Sequence, residues 1–196
     1  MDNLQPRSQP DLQAPAQENT DWKRVFRDLF ETVGLALILF LVINTVSARV
    51  RVDGFSMQPT LQDGEFILVN KLAYRMGTYT RGDIIVFRSP TTPDLDLIKR
   101  VIGLPGDQVV AEGGHILVNS QALNEAYING APEYNGSWKV PEGHVFVLGD
   151  NRNNSSDSHQ WGYLPVQNVI GKALFIYWPP PEWATVDHVK IAVAAP

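Results

Sequence analysis

Cysteine is absent from this chain, which excludes disulfides, thiolate metal sites, cysteine nucleophiles and S-acylation. A serine nucleophile needs a base within hydrogen-bond reach. Of the four histidines, His115, His144, His159 and His188, only His159 stands in suggestive company, as Ser155-Ser156-Asp157-Ser158-His159. In an extended strand Ser155, Asp157 and His159 share a face. Residues i and i+2 are about 6.6 Å apart there, too far for a directly bonded triad. The stretch Asp150 to Asp157 also fails as a calcium loop. Arg152 takes a ligand position, Ser155 stands where a glycine is expected, and the closing acid is missing. By itself the stretch reads as a polar turn in which Asn and Asp side chains bond the backbone.

Two other residues offer chemistry. Ser56 lies in Gly54-Phe55-Ser56-Met57-Gln58-Pro59-Thr60-Leu61, a turn-like setting that presents a hydroxyl and a backbone N–H together. An ordinary turn serine fits the same pattern. Lys99 lies in Leu97-Ile98-Lys99-Arg100-Val101-Ile102. With strand alternation it points with Leu97 and Val101, opposite Ile98, Arg100 and Ile102. Apolar neighbours desolvate an ammonium and lower its pKa from about 10.4. A drop of about 2–3 units would make it a base at neutral pH. A lysine snorkelling from an edge strand is the alternative. Ser56 and Lys99 are too far apart in sequence for the local Ser-x-x-Lys arrangement.

The elements that must position these residues follow from patterning. Residues 1–21 are rich in Gln, Pro, Asn and Asp without apolar periodicity, and are expected to be a disordered tail. The run Val33 to Ile43 is uninterrupted, and from Leu29 to Ala48 the only charge is Glu31. Twenty helical residues span about 30 Å, the thickness of a bilayer core. Residues 22–48 are expected to form a transmembrane anchor. A buried core helix and a cleavable secretory signal, with Val46-Ser47-Ala48 as its cleavage site, are the alternatives. Lys23, Arg24 and Arg27 before the span favour a cytoplasmic N-terminus.

Beyond Arg49 short apolar runs alternate with Gly, Pro, Asp and Asn. Strands are expected over Glu65–Leu72, Asp83–Phe87, Leu97–Ile102, Gln108–Ala111, His115–Val118, His144–Leu148 and Val169–Tyr177. A hairpin is expected at Gly113-Gly114. The Pro-rich Trp178-Pro179-Pro180-Pro181 is expected to close the compact body. The whole chain of 196 residues, 44% hydrophobic and 19% charged, is long and apolar enough to bury a core. Its net charge of −5, with no basic stripe, argues against nucleic acid as a partner.

Four blocks taken together resemble the type I signal peptidases, membrane-bound serine–lysine proteases that remove signal peptides. They are Gly54 to Leu61 just after an apolar span, Arg81-Gly82-Asp83-Ile84-Ile85-Val86-Phe87, Lys99-Arg100-Val101-Ile102-Gly103-Leu104-Pro105-Gly106-Asp107, and Gly149-Asp150-Asn151-Arg152-Asn153-Asn154-Ser155-Ser156-Asp157-Ser158. The resemblance runs from about Trp22 to Trp178. It implies that Ser56 is the nucleophile and Lys99 the general base. Ser155 would hydrogen-bond and orient that lysine, with Asp157 a supporting acid. Met57, Leu61, Ile67, Val86, Leu97 and Ile98 would line two shallow substrate pockets that accept small side chains, the Ala-x-Ala rule. Two departures stand out. Gly54 occupies a position where many members carry a serine that assists the oxyanion hole, and His159 stands where an arginine often pairs with the acid. A histidine makes that pair pH-sensitive.

The implied fold is all-β, of coiled antiparallel sheets preceded by one transmembrane helix. Its parts are a cytoplasmic tail over 1–21, an anchor over 22–48, a serine–lysine peptidase domain over 49–181 and a peripheral C-terminal segment over 182–196. The implied function is removal of signal peptides from exported precursors, with no cofactor and no metal. Its partners are those precursors and membrane lipid. The catalytic domain would lie on the outer side of a plasma or thylakoid membrane. Two other readings are a soluble self-cleaving serine–lysine regulator and a catalytically silent membrane β-domain that binds precursors. The chain's own Val46-Ser47-Ala48 satisfies the cleavage rule, so slow self-cleavage after Ala48 is a further expectation.

Overall fold

The computed structural model describes residues 21–191 apart from Met76. The tail expected over 1–21 therefore lies outside the described residues, save for Asp21. The chain divides into two compact units, Met1–Leu41 and Val42–Pro196.

Helix α1 runs Trp22–Val46, and none of its residues is buried. At 1.5 Å per residue it is about 37 Å long, enough to cross a bilayer core. From Val33 to Ile43 apolar residues cover all its faces, and the charged residues Lys23, Arg24, Arg27, Asp28 and Glu31 are confined to its first ten positions. Its lack of burial removes the buried-core-helix alternative. The Asp21 carbonyl accepts from the N–H groups of Arg24 and Val25 at its start. At its end the free carbonyls find donors. Ser47 Oγ donates to the Ile43 carbonyl, Lys71 Nζ to that of Asn44 and the Lys71 N–H to that of Val46.

Among the described residues twelve strands follow. They are β1 (Ser47–Arg51), β2 (Phe66–Asn70), β3 (Ile84–Arg88), β4 (Asp96–Gly103), β5 (Gln108–Glu112), β6 (His115–Val118), β7 (Gln121–Ala122), β8 (Gly136–Lys139), β9 (His144–Leu148), β10 (Leu164–Pro165), β11 (Val169–Trp178) and β12 (Ala184–Thr185). A single-turn helix α2 spans Ser158–Trp161. The larger sheet has the order β1-β2-β11-β3-β4-β9-β10, with β12 added on β11. The smaller has the order β7-β6-β5-β8. Every ladder is antiparallel. The all-β expectation holds, and the hairpin forms at Gly113-Gly114, where Glu112 faces His115.

Both faces of the larger sheet are covered, so β3 is apolar at consecutive positions. Ile84 and Val86 pack with Val69, Ile67 and Ile98 on one face, and Ile85 and Phe87 with Val101, Val145 and Val147 on the other. A third cluster joins β9 to the smaller sheet through Val109, Ile116, Val118 and Phe146.

Two boundaries differ from expectation. Ser47 and Ala48, grouped above with the anchor, belong to β1. Packing also continues past Pro181, because Val186 is buried in the first cluster and the His188 ring accepts the Ile84 N–H.

The first boundary bears on self-cleavage. Ala48 is paired with Val69 in the β1–β2 ladder and packs against the core. The bond after it is reachable only if β1 leaves the sheet. The expected outcome is therefore an intact N-terminus by mass spectrometry after long incubation in detergent. A fragment beginning at Arg49 would contradict it.

Candidate active site

Lys99 sits in the middle of β4, opposite Ile85 of β3. It is 2% exposed. Its Nζ donates to Ser56 Oγ at 2.7 Å and to the carbonyl of Ile98 at 2.9 Å. Burial pushes its pKa down to about 8, against the fields of Asp157 and Asp150, which favour the charged form. The snorkelling alternative is thereby removed. A neutral amine at this distance from a hydroxyl can act as a proton acceptor.

Ser56 is carried by the loop between β1 and β2. At Gly54 this loop has φ of +99°, a conformation that L side chains rarely adopt. The Gly54 N–H is held by Asp63 Oδ1 at 2.7 Å. That backbone explains the first departure, since a serine at position 54 would be strained here.

The fourth block folds against this loop. The Asn151 N–H donates to the Ser56 carbonyl at 3.0 Å, and Asn151 Nδ2 donates to that of Phe55 at 3.1 Å. Asp157 Oδ2 accepts the Gly149 N–H, and Arg152 Nε donates to the Gly149 carbonyl. The approach is close. A Cβ added to Gly149 would stand 2.3 Å from Ser155 Oγ and 2.5 Å from the Ser56 carbonyl oxygen. Only glycine lets the two chains meet.

Ser155 does not make the contact the resemblance implies. Among the described residues its buried Oγ has no hydrogen-bond partner, while the amine of Lys99 is engaged by Ser56 and Ile98. Asp157 is fully buried and caps α2. Its Oδ1 accepts the His159 N–H and meets His159 Nδ1 at 2.7 Å. The extended geometry assumed for residues 155–159 does not apply, because the N-cap turn brings position 159 back onto 157. His159 also stacks on Tyr134, with ring centroids 4.0 Å apart. Ser155 takes no part in this pair.

Beside Ser56 and Lys99 lies a cavity of about 140 Å³, lined by Val52, Met57, Leu95, Leu97 and Ile98, with Arg51, Asp53 and Asp96. Of the six residues expected to line pockets, Met57, Leu97 and Ile98 do so. Leu61, Ile67 and Val86 are fully buried in the core cluster shared with Met57 and Ile98, and form the layer behind.

Two buried charge networks support the site, and sequence reading missed both. Arg100, next to Lys99 and fully buried, pairs in two-pronged fashion with Asp150 at 2.8 and 2.7 Å. It also donates to the carbonyls of Gly82 and Asp187, and its guanidinium lies 4.2 Å from the Tyr127 ring centre. Arg152 pairs likewise with Glu125, both bonds at 2.6 Å. Spacing gave no signal for either pair, since Arg100 and Asp150 lie in different blocks among mixed neighbours, and Glu125 lies in none of the four blocks.

The family model described as signal peptidase, peptidase S26, matches residues 25–178. The chain is 44% identical over 182 residues to a signal peptidase I of Leptolyngbya laminosa, covering 88% of this chain and 84% of that one. It is also 44% identical over 169 residues to a probable signal peptidase I-1 of Synechocystis, covering 82% and 86%. A crystal structure of a signal peptidase I from Enterococcus faecalis is similar at 32% identity, with a TM-score of 0.46, over 49% of this chain and 97% of that chain. A match that spans most of the chain, and relatives of this identity along nearly their whole length, show that this chain belongs to the signal peptidase I family.

Proposed function

We propose that this signal peptidase works by a Ser56–Lys99 dyad and cuts exported precursors after small residues at the first and third positions before the scissile bond. The observation that carries this is the 2.7 Å contact between Ser56 Oγ and the buried amine of Lys99. Neutral Lys99 takes the Ser56 proton as Oγ attacks the scissile carbonyl. The resulting ammonium returns the proton to the departing amine, leaving an ester on Ser56. Water then attacks the ester, giving its proton to Lys99, and the carboxylate product leaves as Oγ is reprotonated. No carboxylate base is needed, because desolvation lowers the pKa of the amine to about 8 and so supplies a fraction of free amine at neutral pH that grows as the pH rises.

The cavity beside the dyad supports the preference for small residues. At about 140 Å³ it is well below the roughly 300 Å³ at which sites for larger ligands begin. The exposed apolar run Val33 to Ile43 of α1 supports membrane anchoring, with the basic first turns of the helix on the cytoplasmic side and the β-domain on the other. Tethering enzyme and precursor to one bilayer raises their effective concentration.

The test is cleavage of an Ala-x-Ala precursor in detergent–phospholipid micelles by wild type, Ser56→Ala and Lys99→Ala. Cleavage by wild type alone is expected. An inert, folded wild type, or unchanged cleavage by Ser56→Ala, would overturn the assignment.

A further inference from the structure

We propose that Asn151 is the positioning residue of the oxyanion site. Its side-chain amide holds the Phe55–Ser56 peptide so that the Ser56 N–H meets the oxygen of the scissile carbonyl. This rests on Ser56 being the nucleophile.

The Phe55 carbonyl and the Ser56 N–H belong to one peptide group. That peptide is trans, so its C=O and N–H point in opposite directions. Asn151 Nδ2 donates to the Phe55 oxygen at 3.1 Å, and the turn bond from the Gln58 N–H reaches the same oxygen at 3.2 Å. The backbone N–H of Asn151 holds the next carbonyl, that of Ser56, at 3.0 Å. Asn151 thus grips two consecutive peptides, one on each side of the Ser56 α-carbon.

The opposite end of the first peptide is free. The Ser56 N–H donates to no group among the described residues, and Ser56 lines the cavity shared with Lys99. A backbone donor left unpaired beside a nucleophile is what a developing oxyanion requires. With glycine at position 54 no hydroxyl stands two residues before the nucleophile, so the aim of this one N–H matters more. Two donors on the Phe55 oxygen fix that aim. They also polarise the peptide, strengthening its N–H as a donor.

Asn151→Leu keeps the approximate size and removes the donor, and Asn151→Ala removes the side chain. Both retain the backbone N–H to Ser56. With an Ala-x-Ala peptide in detergent–phospholipid micelles, kcat is expected to fall about 10- to 100-fold, with KM changed by less than about twofold. The midpoint of the pH profile stays where Lys99 sets it. Affinity for a peptide boronate, which forms a tetrahedral anionic adduct with a serine, falls in step with kcat/KM. Affinity for an uncleavable peptide of the same sequence does not.

Wild-type kcat in both variants would overturn the proposal. So would equal losses of boronate and peptide affinity, which mark a merely structural role. Ser56→Ala is measured alongside. If it still cleaves, the nucleophile assignment has failed. If it is inert while both Asn151 variants match wild type, only the oxyanion proposal has failed.

Discussion

Lys99→Met is expected to lower kcat/KM by at least about 10⁴-fold and, at neutral pH, to make the folded protein more stable. Both effects follow from one fact, the placing of an ammonium where almost none of it is exposed to solvent. Displacement of its pKa from 10.5 to about 8 corresponds to about 3 kcal/mol spent on keeping the charge buried. Methionine fills a similar volume without that cost. The sign can be followed with pH. Below about pH 8 the lysine is charged in both folded and unfolded chains, and the penalty is constant. Between about 8 and 10.5 the unfolded chain holds a proton that the folded one has released, so wild-type stability rises with pH. The advantage of Lys99→Met is therefore largest at pH 7 and shrinks toward pH 10.5. Activity has the matching profile. Wild-type kcat/KM climbs about tenfold per pH unit below pH 8 and levels off above it. Denaturant titrations of both proteins at several pH values, with pH–rate curves for the wild type, test the pair of claims. A variant less stable than wild type at pH 7, or a rate flat between pH 6 and 9, would contradict them.

Asp150→Ala is the second large effect. It removes the carboxylate that meets both prongs of a fully buried guanidinium and also accepts from Thr60 Oγ1 at 2.5 Å. The charge of Arg100 would be left without its counter-ion. Breaking such a pair costs about 3–5 kcal/mol, equivalent to roughly 10 °C in Tm for a body of this size. The activity loss should accompany the stability loss, because Arg100 adjoins Lys99 and Asp150 adjoins Asn151 in sequence. The double change Arg100→Met with Asp150→Leu should recover most of the stability, since no unpaired charge remains. Thermal unfolding followed by circular dichroism in detergent reads both. A Tm within about 2 °C of wild type for Asp150→Ala would show that the pair carries little.

Local pattern sufficed for much of the fold. The strands from His115 to Val118 and His144 to Leu148 are found with the expected bounds, because alternation and bounding turns are properties of neighbouring residues. The Gly113-Gly114 turn fixed its own hairpin for the same reason. The short strands β1, β7, β8 and β10 escaped notice, and β12 falls in the C-terminal stretch read as either a peripheral strand or a loose segment. They exist because a neighbour supplies their hydrogen bonds, and residues such as Gln121-Ala122 carry no pattern of their own.

The sequence by itself determined the exposed apolar helix, an antiparallel β-body, and a serine and a lysine in family blocks as candidates for the chemistry. Only the tertiary structure decided how these meet. Strand β11 enters between β2 and β3 from a hundred residues away, and β9 lies along β4. That register seats Lys99 against Ser56, Arg100 against Asp150, and Asn151 against the Phe55–Ser56 turn. It leaves Ser155 against Gly149 without a bond to the lysine. It also draws the segment beyond Pro181 back onto β3 and β11. Such contacts have no signature in spacing, because burial turns a charge or an amide into a partner-seeking group only after distant strands have closed around it.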